Sequence, residues 1–337
     1  MTINAPISQT YKKFYLSFPY DDLAPVSDWD TFRSIYLANY PEALLPDQAP
    51  SLMDSHLEEG NIFTKQRESD VTIFPHLNYT PDFIHQLDMF KIIYILRGQA
   101  RFTTKADSYH LTSGMLCLVP PGIEQSLFVA DNTSCVYNLI IRQSSFQQAF
   151  SAILYDSNDL SGILWQMIYS KNKPVLLCQT DTRKQLKNYI LQIIAEENGA
   201  LPFQNTIQRS LTIILLSTLW RFYSEDIRLI EQSVTDSRLS LFIEMIDKNL
   251  ATITLSQLAE RTQLSEGYLS RYLKEATGMT FKKILKDIRL NRSLYLLKHT
   301  NFPIEKISEM VGYRDQSRFY RNFKEIFQQT PNTYRKS

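Results

Sequence analysis

Two runs near the end of the chain carry side chains that suit hydrogen bonding to a nucleic-acid base better than bond making. One holds Gly267, Tyr268, Ser270, Arg271 and Lys274, and the other Gln316, Ser317, Arg318, Arg321 and Lys324. Steps of three and four residues put most of each set on one side of a helix. Leu269 and Leu273 in the first run, and Phe319 and Phe323 in the second, fall between them and would face a core. Arg can donate twice to guanine O6 and N7, and Gln can pair with adenine N6 and N7, each contact discriminating by about 1–3 kcal/mol. Arg271, Gln316, Arg318 and Arg321 are therefore the candidate base readers. Lys274, Lys282, Lys283, Lys286 and Lys324 suit phosphate oxygens, whose contribution ignores base sequence and fades with salt.

An internal repeat positions both runs. Leu255-Ser256-Gln257-Leu258-Ala259 matches Ile304-Glu305-Lys306-Ile307-Ser308 at an offset of 49. Leu269, Arg271, Leu273, Lys274 and Thr280 match Phe319, Arg321, Phe323, Lys324 and Thr330 at an offset of 50. Each copy reads as a short helix, a turn and a longer helix, the layout of a helix-turn-helix. Thr254 and Gln257 form a capping box, Ser265 caps the next helix, and Pro331 opens a last turn where its missing N–H costs nothing. Gly312 occupies the turn of the second copy, where a left-handed backbone suits glycine. Gln263 stands there in the first, at a cost if the geometry is shared. Between the copies, 280–299 predicts a helix about 30 Å long, and successive major grooves on one duplex face lie about 34 Å apart. A stiff spacer of that length lets both outward rows enter adjacent grooves.

Charge follows the same division. Residues 237–337 hold 18 Lys and Arg against 10 Asp and Glu, a net +8, whereas the first 236 residues carry −7, so the chain's overall +1 conceals a basic end. The length of 337 residues allows two or three domains, and 44% hydrophobic with 21% charged residues excludes collagen-like, disordered and small disulfide-rich classes. No apolar run approaches the roughly 20 residues of a membrane-spanning helix. The first residues lack a basic start and apolar block, and the cysteines (Cys117, Cys135, Cys178) are odd in number with no Cys-x-x-Cys pair. A reducing cytoplasm is the expected compartment.

Upstream the texture is different. Residues 1–65 are rich in Pro and Tyr and read as an irregular extension with one short helix near 28–39. Short β-rich runs follow at 71–77, 90–97, 100–105, 115–119, 125–129 and 135–141, separated by Gly, Pro and Asn turn signals, which predicts a small antiparallel barrel or sandwich. After 144 the period lengthens, and two amphipathic helices turn at 198–202, either packed on the barrel or forming a dimer face. The 225–237 stretch reads as a polar joint.

The last hundred residues resemble the DNA-binding domain of AraC/XylS-type bacterial transcription regulators. The resemblance rests on Ile307-Ser308-Glu309-Met310-Val311-Gly312-Tyr313-Arg314-Asp315-Gln316-Ser317-Arg318-Phe319-Tyr320-Arg321-Asn322-Phe323-Lys324 and on Thr330-Pro331-Asn332-Thr333-Tyr334-Arg335. It assigns base reading to Gly267, Ser270 and Arg271 in the first copy and to Gln316, Ser317, Arg318 and Arg321 in the second. Two positions depart from the family's habit: Gly267, where a larger side chain is usual, and Gln328, where glycine is usual. Gly114 with Pro120-Pro121-Gly122-Ile123-Glu124-Gln125 is similar to the second cupin motif, and 90–98 to the end of the first.

The resemblance implies an α+β multidomain chain: a cupin-like antiparallel β-barrel that binds an effector, a helical dimerisation or linker region, and an all-α double helix-turn-helix domain. The corresponding boundaries are an extension over 1–65, the barrel over 66–180, the helices over 181–236 and the DNA-binding domain over 237–337. It further implies a cytoplasmic homodimer whose partners are double-stranded DNA, RNA polymerase and a small effector such as a sugar. Polar-tipped residues that could line the barrel are Tyr94, Arg97, Arg101, Glu124, Gln125, Tyr137 and His85. A barrel that serves only dimerisation or protein contact is the alternative, and a metal-dependent cupin enzyme the remote one. Such enzymes converge several His and a Glu on a divalent ion. Here Gln125 replaces a His, Lys91 falls at the Glu, and His85 stands alone, so no metal, cofactor or catalytic set is expected.

Overall fold

The computed structural model describes residues 5–17, 19–21, 23–41, 55–63, 69–143, 146, 159–181, 184–199, 201–230 and 237–336. The chain divides into two compact units, each discontinuous in sequence: 1–145 with 174–231, and 146–173 with 232–337.

The β-unit begins with helices α1 (Ala5–Ser17) and α2 (Trp29–Asn39), then β1 (His56–Leu57), a short α3 (Glu59–Ile62), β2 (Val71–Pro75) and β3 (Gln86–Leu87). Strands β4 (Phe90–Arg97), β5 (Gln99–Thr104), β6 (Ser108–Thr112), β7 (Met115–Val119), β8 (Gln125–Phe128) and β9 (Cys135–Ile141) follow. Helix α4 (Asp159–Tyr169) belongs to the other unit, after which β10 (Val175–Gln179), α5 (Gln185–Gly199), α6 (Gln204–Tyr223) and β11 (Ile227–Ile230) complete this one. A six-stranded antiparallel sheet in the order β11-β10-β7-β4-β9-β2 is accompanied by a three-stranded antiparallel sheet, β6-β5-β8, and β1 pairs with β3. Ile93, Ile95, Cys117, Val119, Val136, Val175, Leu177 and Ile230 from the larger sheet meet Ala100, Phe102, Leu111, Leu127 and Val129 from the smaller in one core.

The opposite face of the larger sheet is buried too, through Ile92, Tyr94, Leu116, Leu118, Leu139 and Ile141. The α5–α6 pair packs against this sheet at β2. Burial on both faces explains why β4 and β7 read as continuous apolar runs rather than alternating ones. The 225–237 stretch is more than a joint, because Ile227–Ile230 pair with Val175–Cys178 as an edge strand.

The N-terminal segment differs from the irregular extension expected. Phe14, Tyr20, Val26, Phe32, Tyr36, Phe83 and Phe128 form an apolar cluster in which α1 and α2 join the outer side of β8. Aromatic residues form helices weakly, and here tertiary burial overrides propensity. Asp28 caps α2 through the Thr31 amide at 2.7 Å, at the boundary the sequence suggests.

The helical unit comprises α4, α7 (Ser237–Lys248), α8 (Leu255–Thr262), α9 (Glu266–Thr277), α10 (Phe281–His299), α11 (Ile304–Met310), α12 (Gln316–Phe327) and α13 (Pro331–Lys336). Placing α4 here splits the expected 66–180 segment. Gln166 Nε2 donates to Ser240 Oγ at 3.0 Å, Ser240 Oγ donates to the Gly162 carbonyl at 2.9 Å, and Tyr169 donates to the Asp287 carboxylate at 2.8 Å. Leu164, Trp165, Met167, Ile168 and Tyr169 are buried, so this helix finds its core beside α7. Among the described residues no helix is long and apolar enough to cross a membrane, and all three cysteines are free thiols.

Candidate nucleic-acid interface

Helix ends set the two motifs. Thr254 Oγ1 accepts the Gln257 amide at 3.2 Å while Gln257 Oε1 accepts the Thr254 amide at 3.0 Å, the reciprocal box that opens α8. Gln263 closes α8 in the left-handed region (φ 55°), and Ser265 then caps α9 through the Tyr268 amide. In the second copy Gly312 holds φ 89° after α11, and Asp315 caps α12 through the Ser317 amide at 2.9 Å. The turns therefore share a handedness, with glutamine doing in one what glycine does in the other. Gln328, where the family favours glycine, is likewise left-handed at φ 57°.

Leu269, Tyr272 and Leu273 are buried on α9, and Phe319 and Phe323 on α12. That anchoring turns Gly267, Tyr268, Ser270, Arg271 and Lys274 outward on the first recognition helix and Gln316, Ser317, Arg318, Arg321 and Lys324 outward on the second, all exposed. Arg271, Lys274, Arg318, Arg321 and Lys324 form no side-chain hydrogen bond or ion pair among the described residues, so their charge is available to a polyanion. Tyr268 is engaged: its hydroxyl accepts from Arg238 Nη1 at 2.8 Å, and its ring stacks on Tyr272.

Helix α10 spaces the motifs with 19 residues, about 28 Å of axial rise at 1.5 Å per residue. Arg289 at its middle ties it to the first motif by donating to the Leu250 carbonyl from Nε (3.0 Å) and Nη2 (2.9 Å). The same guanidinium lies 5.9 Å from the Tyr313 ring centroid beside the second turn. Of the five lysines expected at phosphates, the three on α10 differ: Lys282 and Lys283 are exposed, but Lys286 Nζ meets Glu325 at 2.9 Å. Arg238 was not legible as part of this surface. It stands on α7, 30 residues before Tyr268, with its guanidinium 5.1 Å from the Tyr272 ring.

The seven barrel candidates separate. Cross-strand partners share a face, so Tyr94, opposite Leu116 and Tyr137, lies on the face away from the inter-sheet core, and so does Tyr137. Tyr94 reaches Thr180, and burial raises its phenol. Arg101 sits on the outer side of β5, donating to the Asp21 carbonyl (2.8 Å) and Asp82 carboxylate (3.2 Å) over the Phe128 ring. Arg97 is exposed and bonded to the Thr133 carbonyl, and Glu124 is exposed just before β8. None of these five lines the interior. Strand alternation could not assign faces where both are covered.

Gln125 and His85 do reach the inner wall, joined by reciprocal backbone bonds of 2.9 Å. Three residues outside the expected set, Lys91, Asn138 and His76, accompany them. Lys91 pairs with Val119 and Ile140, and Asn138 with Ile93, all on the inner face. Burial pulls Lys91 down to about 8, and burial followed by the Lys91 charge pulls His76 and His85 down to about 3. Among the described residues no three metal-ligating side chains converge.

Residues 74–196 match the family model of the AraC-like ligand binding domain and 258–337 that of a helix-turn-helix domain. The chain is 24% identical over 259 residues to the Msm operon regulatory protein of Streptococcus mutans, spanning 74% of this chain and 84% of that protein. It is 24% identical over 277 residues to the HTH-type transcriptional activator RhaS of Escherichia coli, spanning 81% and 94%. A solved structure of ToxT from Vibrio cholerae aligns at 17% identity over 79% of this chain and 96% of that one, with a TM-score of 0.34.

Proposed function

We propose, for a chain that belongs to the AraC/XylS type of transcription regulator, that the helical unit reads a specific duplex while a small molecule held in the β-unit decides when it does so. Two outward rows of uncompensated cationic and amide side chains, on α9 and α12 with α10 as spacer, carry this reading. Arg271, Gln316, Arg318 and Arg321 reach base edges. Ser270, Ser317 and Tyr268 join them in the groove, the bare backbone at Gly267 lets the duplex come close, and Lys274, Lys282, Lys283 and Lys324 bind phosphates. Lys286 contributes by exchanging Glu325 for a phosphate.

The effector, a sugar or related metabolite, acts only if it binds one arrangement of the units better than another, since a ligand with equal affinity for both shifts nothing. The regulator works in the bacterial cytoplasm as a homodimer and meets RNA polymerase at its promoter. Exposed Leu191, Ile207, Ile214 and Phe222 on α5 and α6 give the dimer an apolar surface. Footprinting on the promoter of the regulated genes tests the core of the reading. Two protected patches about one helical turn apart on one duplex face are expected per DNA-binding unit, and a single short patch overturns it.

A further inference from the structure

Among the described residues, the interior of the β-unit holds a cation without an anion. Lys91 lies between Val119 and Ile140 on the inner face of the larger sheet and is 4% exposed. The ionisable groups that bear on it are Cys117, His76 and His85. Burial raises the Cys117 thiol and so keeps it protonated, and the two imidazoles are neutral above about pH 3. Among the described residues no carboxylate acts on Lys91: the buried Asp82 is bound to Arg101 on the outer side of β5. Among the described residues Lys91 forms no hydrogen bond and no ion pair. A buried ammonium left in this state is costly, and proteins that keep one ordinarily pair it.

Independent of that charge, three polar atoms in the same interior are shut off from solvent with no partner among the described residues: Asn138 Oδ1, Gln125 Oε1 and His76 Nε2. Asn138 is on the inner face of β9 opposite Ile93, one inward position from the Ile140 that faces Lys91. Gln125 opens β8 on the facing sheet and is tied to His85. His76 follows β2, and its ring is engaged by the Leu127 backbone, leaving Nε2 with a lone pair. All three are acceptors. Water can satisfy acceptors, but it cannot neutralise the ammonium.

We propose that Lys91 anchors the acidic group of a small hydroxylated effector inside the β-unit, with Asn138, Gln125 and His76 accepting its hydroxyls. This rests on the effector-controlled reading above and narrows its ligand from sugars in general to those bearing a carboxylate or a phosphate. A neutral sugar would complete the hydrogen bonds and leave the charge unpaired, whereas a fatty acid would pair the charge and leave three acceptors empty. A sugar acid or sugar phosphate does both.

Thermal melts of the full chain and of Lys91→Met test this against matched probes: glucuronate, galacturonate and gluconate for the carboxylate, glucose 6-phosphate for the phosphate, and glucose and galactose as neutral parents. At least one acidic probe is expected to raise the Tm of the parent protein, the responding arm telling carboxylate from phosphate. The same probe should bind Lys91→Met at least tenfold more weakly, and the neutral parents should do nothing. Without ligand, Lys91→Met should melt at or above the parent, because an unpaired charge has been removed. The assignment is overturned if only neutral sugars stabilise, if no acidic probe does so at millimolar concentration, if an acidic probe stabilises Lys91→Met equally well, or if unliganded Lys91→Met melts lower. Stabilisation by a neutral sugar alone would sink the acid and leave effector control standing. The footprint reports on DNA reading whatever the melts show.

Discussion

Arg321 lies exposed on α12 with no partner among the described residues, so its removal should leave the fold nearly as stable as before. Specific duplex binding should weaken by about 1–3 kcal/mol in Arg321→Ala, as for loss of a two-bond contact to guanine. Titration on the specific site and on a scrambled one checks this, and equal loss on both would make Arg321 a phosphate contact. Lys283→Ala should reduce the slope of log binding constant against log salt by about one unit. Lys286→Ala should reduce it by less, because Glu325 already offsets that charge at 2.9 Å, and equal slopes would show that the ion pair opens freely on DNA. Which residues point outward was readable from the repeat, since three- and four-residue steps are a local property. That Glu325 sits against Lys286 from 39 residues away was not, and neither was the Arg238 bond to Tyr268.

Turn geometry decides how each recognition helix is presented. A Cβ on Gly312 would come within 2.6 Å of both the Ala251 carbonyl oxygen and Arg289 Nη2, at a backbone φ of 89°. Gly312→Ala should therefore destabilise the helical unit by more than the roughly 1 kcal/mol that a left-handed backbone alone costs an L-residue. It should also loosen the Arg289 anchor on the Leu250 carbonyl. Gln263→Gly, at φ 55°, removes a strained side chain and should stabilise by up to about 1 kcal/mol. Thermal melts that shift in opposite directions for the two variants are the expected result. A loss on Gln263→Gly would mean that its side chain contributes more than its backbone costs. Helix boundaries at Thr254, Ser265 and Pro331 were readable because capping involves residues three apart. The interior face of β4 was not, since Phe90 through Ile95 are all buried.

Across the molecule the two units carry buried groups that answer to pH with opposite signs. His76 and His85 are neutral in the folded β-unit down to about pH 3, whereas the unfolded chain protonates them near 6.5. The unfolded state therefore binds more protons in that window, and their contribution to stability falls as pH drops from about 6.5 towards 3. In the helical unit, burial raises Asp247 to about 7 from 3.8, so the folded state binds the extra proton there and stability from this group is lost as pH rises from 3.8 through 7. Asp247→Asn should accordingly raise the Tm more at pH 8 than at pH 5, and His76→Gln with His85→Gln should flatten the acid limb of the melting curve. A pH-independent effect of Asp247→Asn would show that Arg292 already stabilises the carboxylate in full. The sequence alone determined the helix-turn-helix repeat, the basic end and the β-rich run ahead of it, because periodicity, capping and charge are written in neighbouring residues. Only the tertiary structure decided that Lys91 faces inward beside Asn138, Gln125 and His76 while Tyr94 and Tyr137 face away, and that α4 belongs to the helical unit. Burial on both sides of a strand erases the alternation that would mark its faces, and a helix's partner is chosen by packing between residues far apart in the chain.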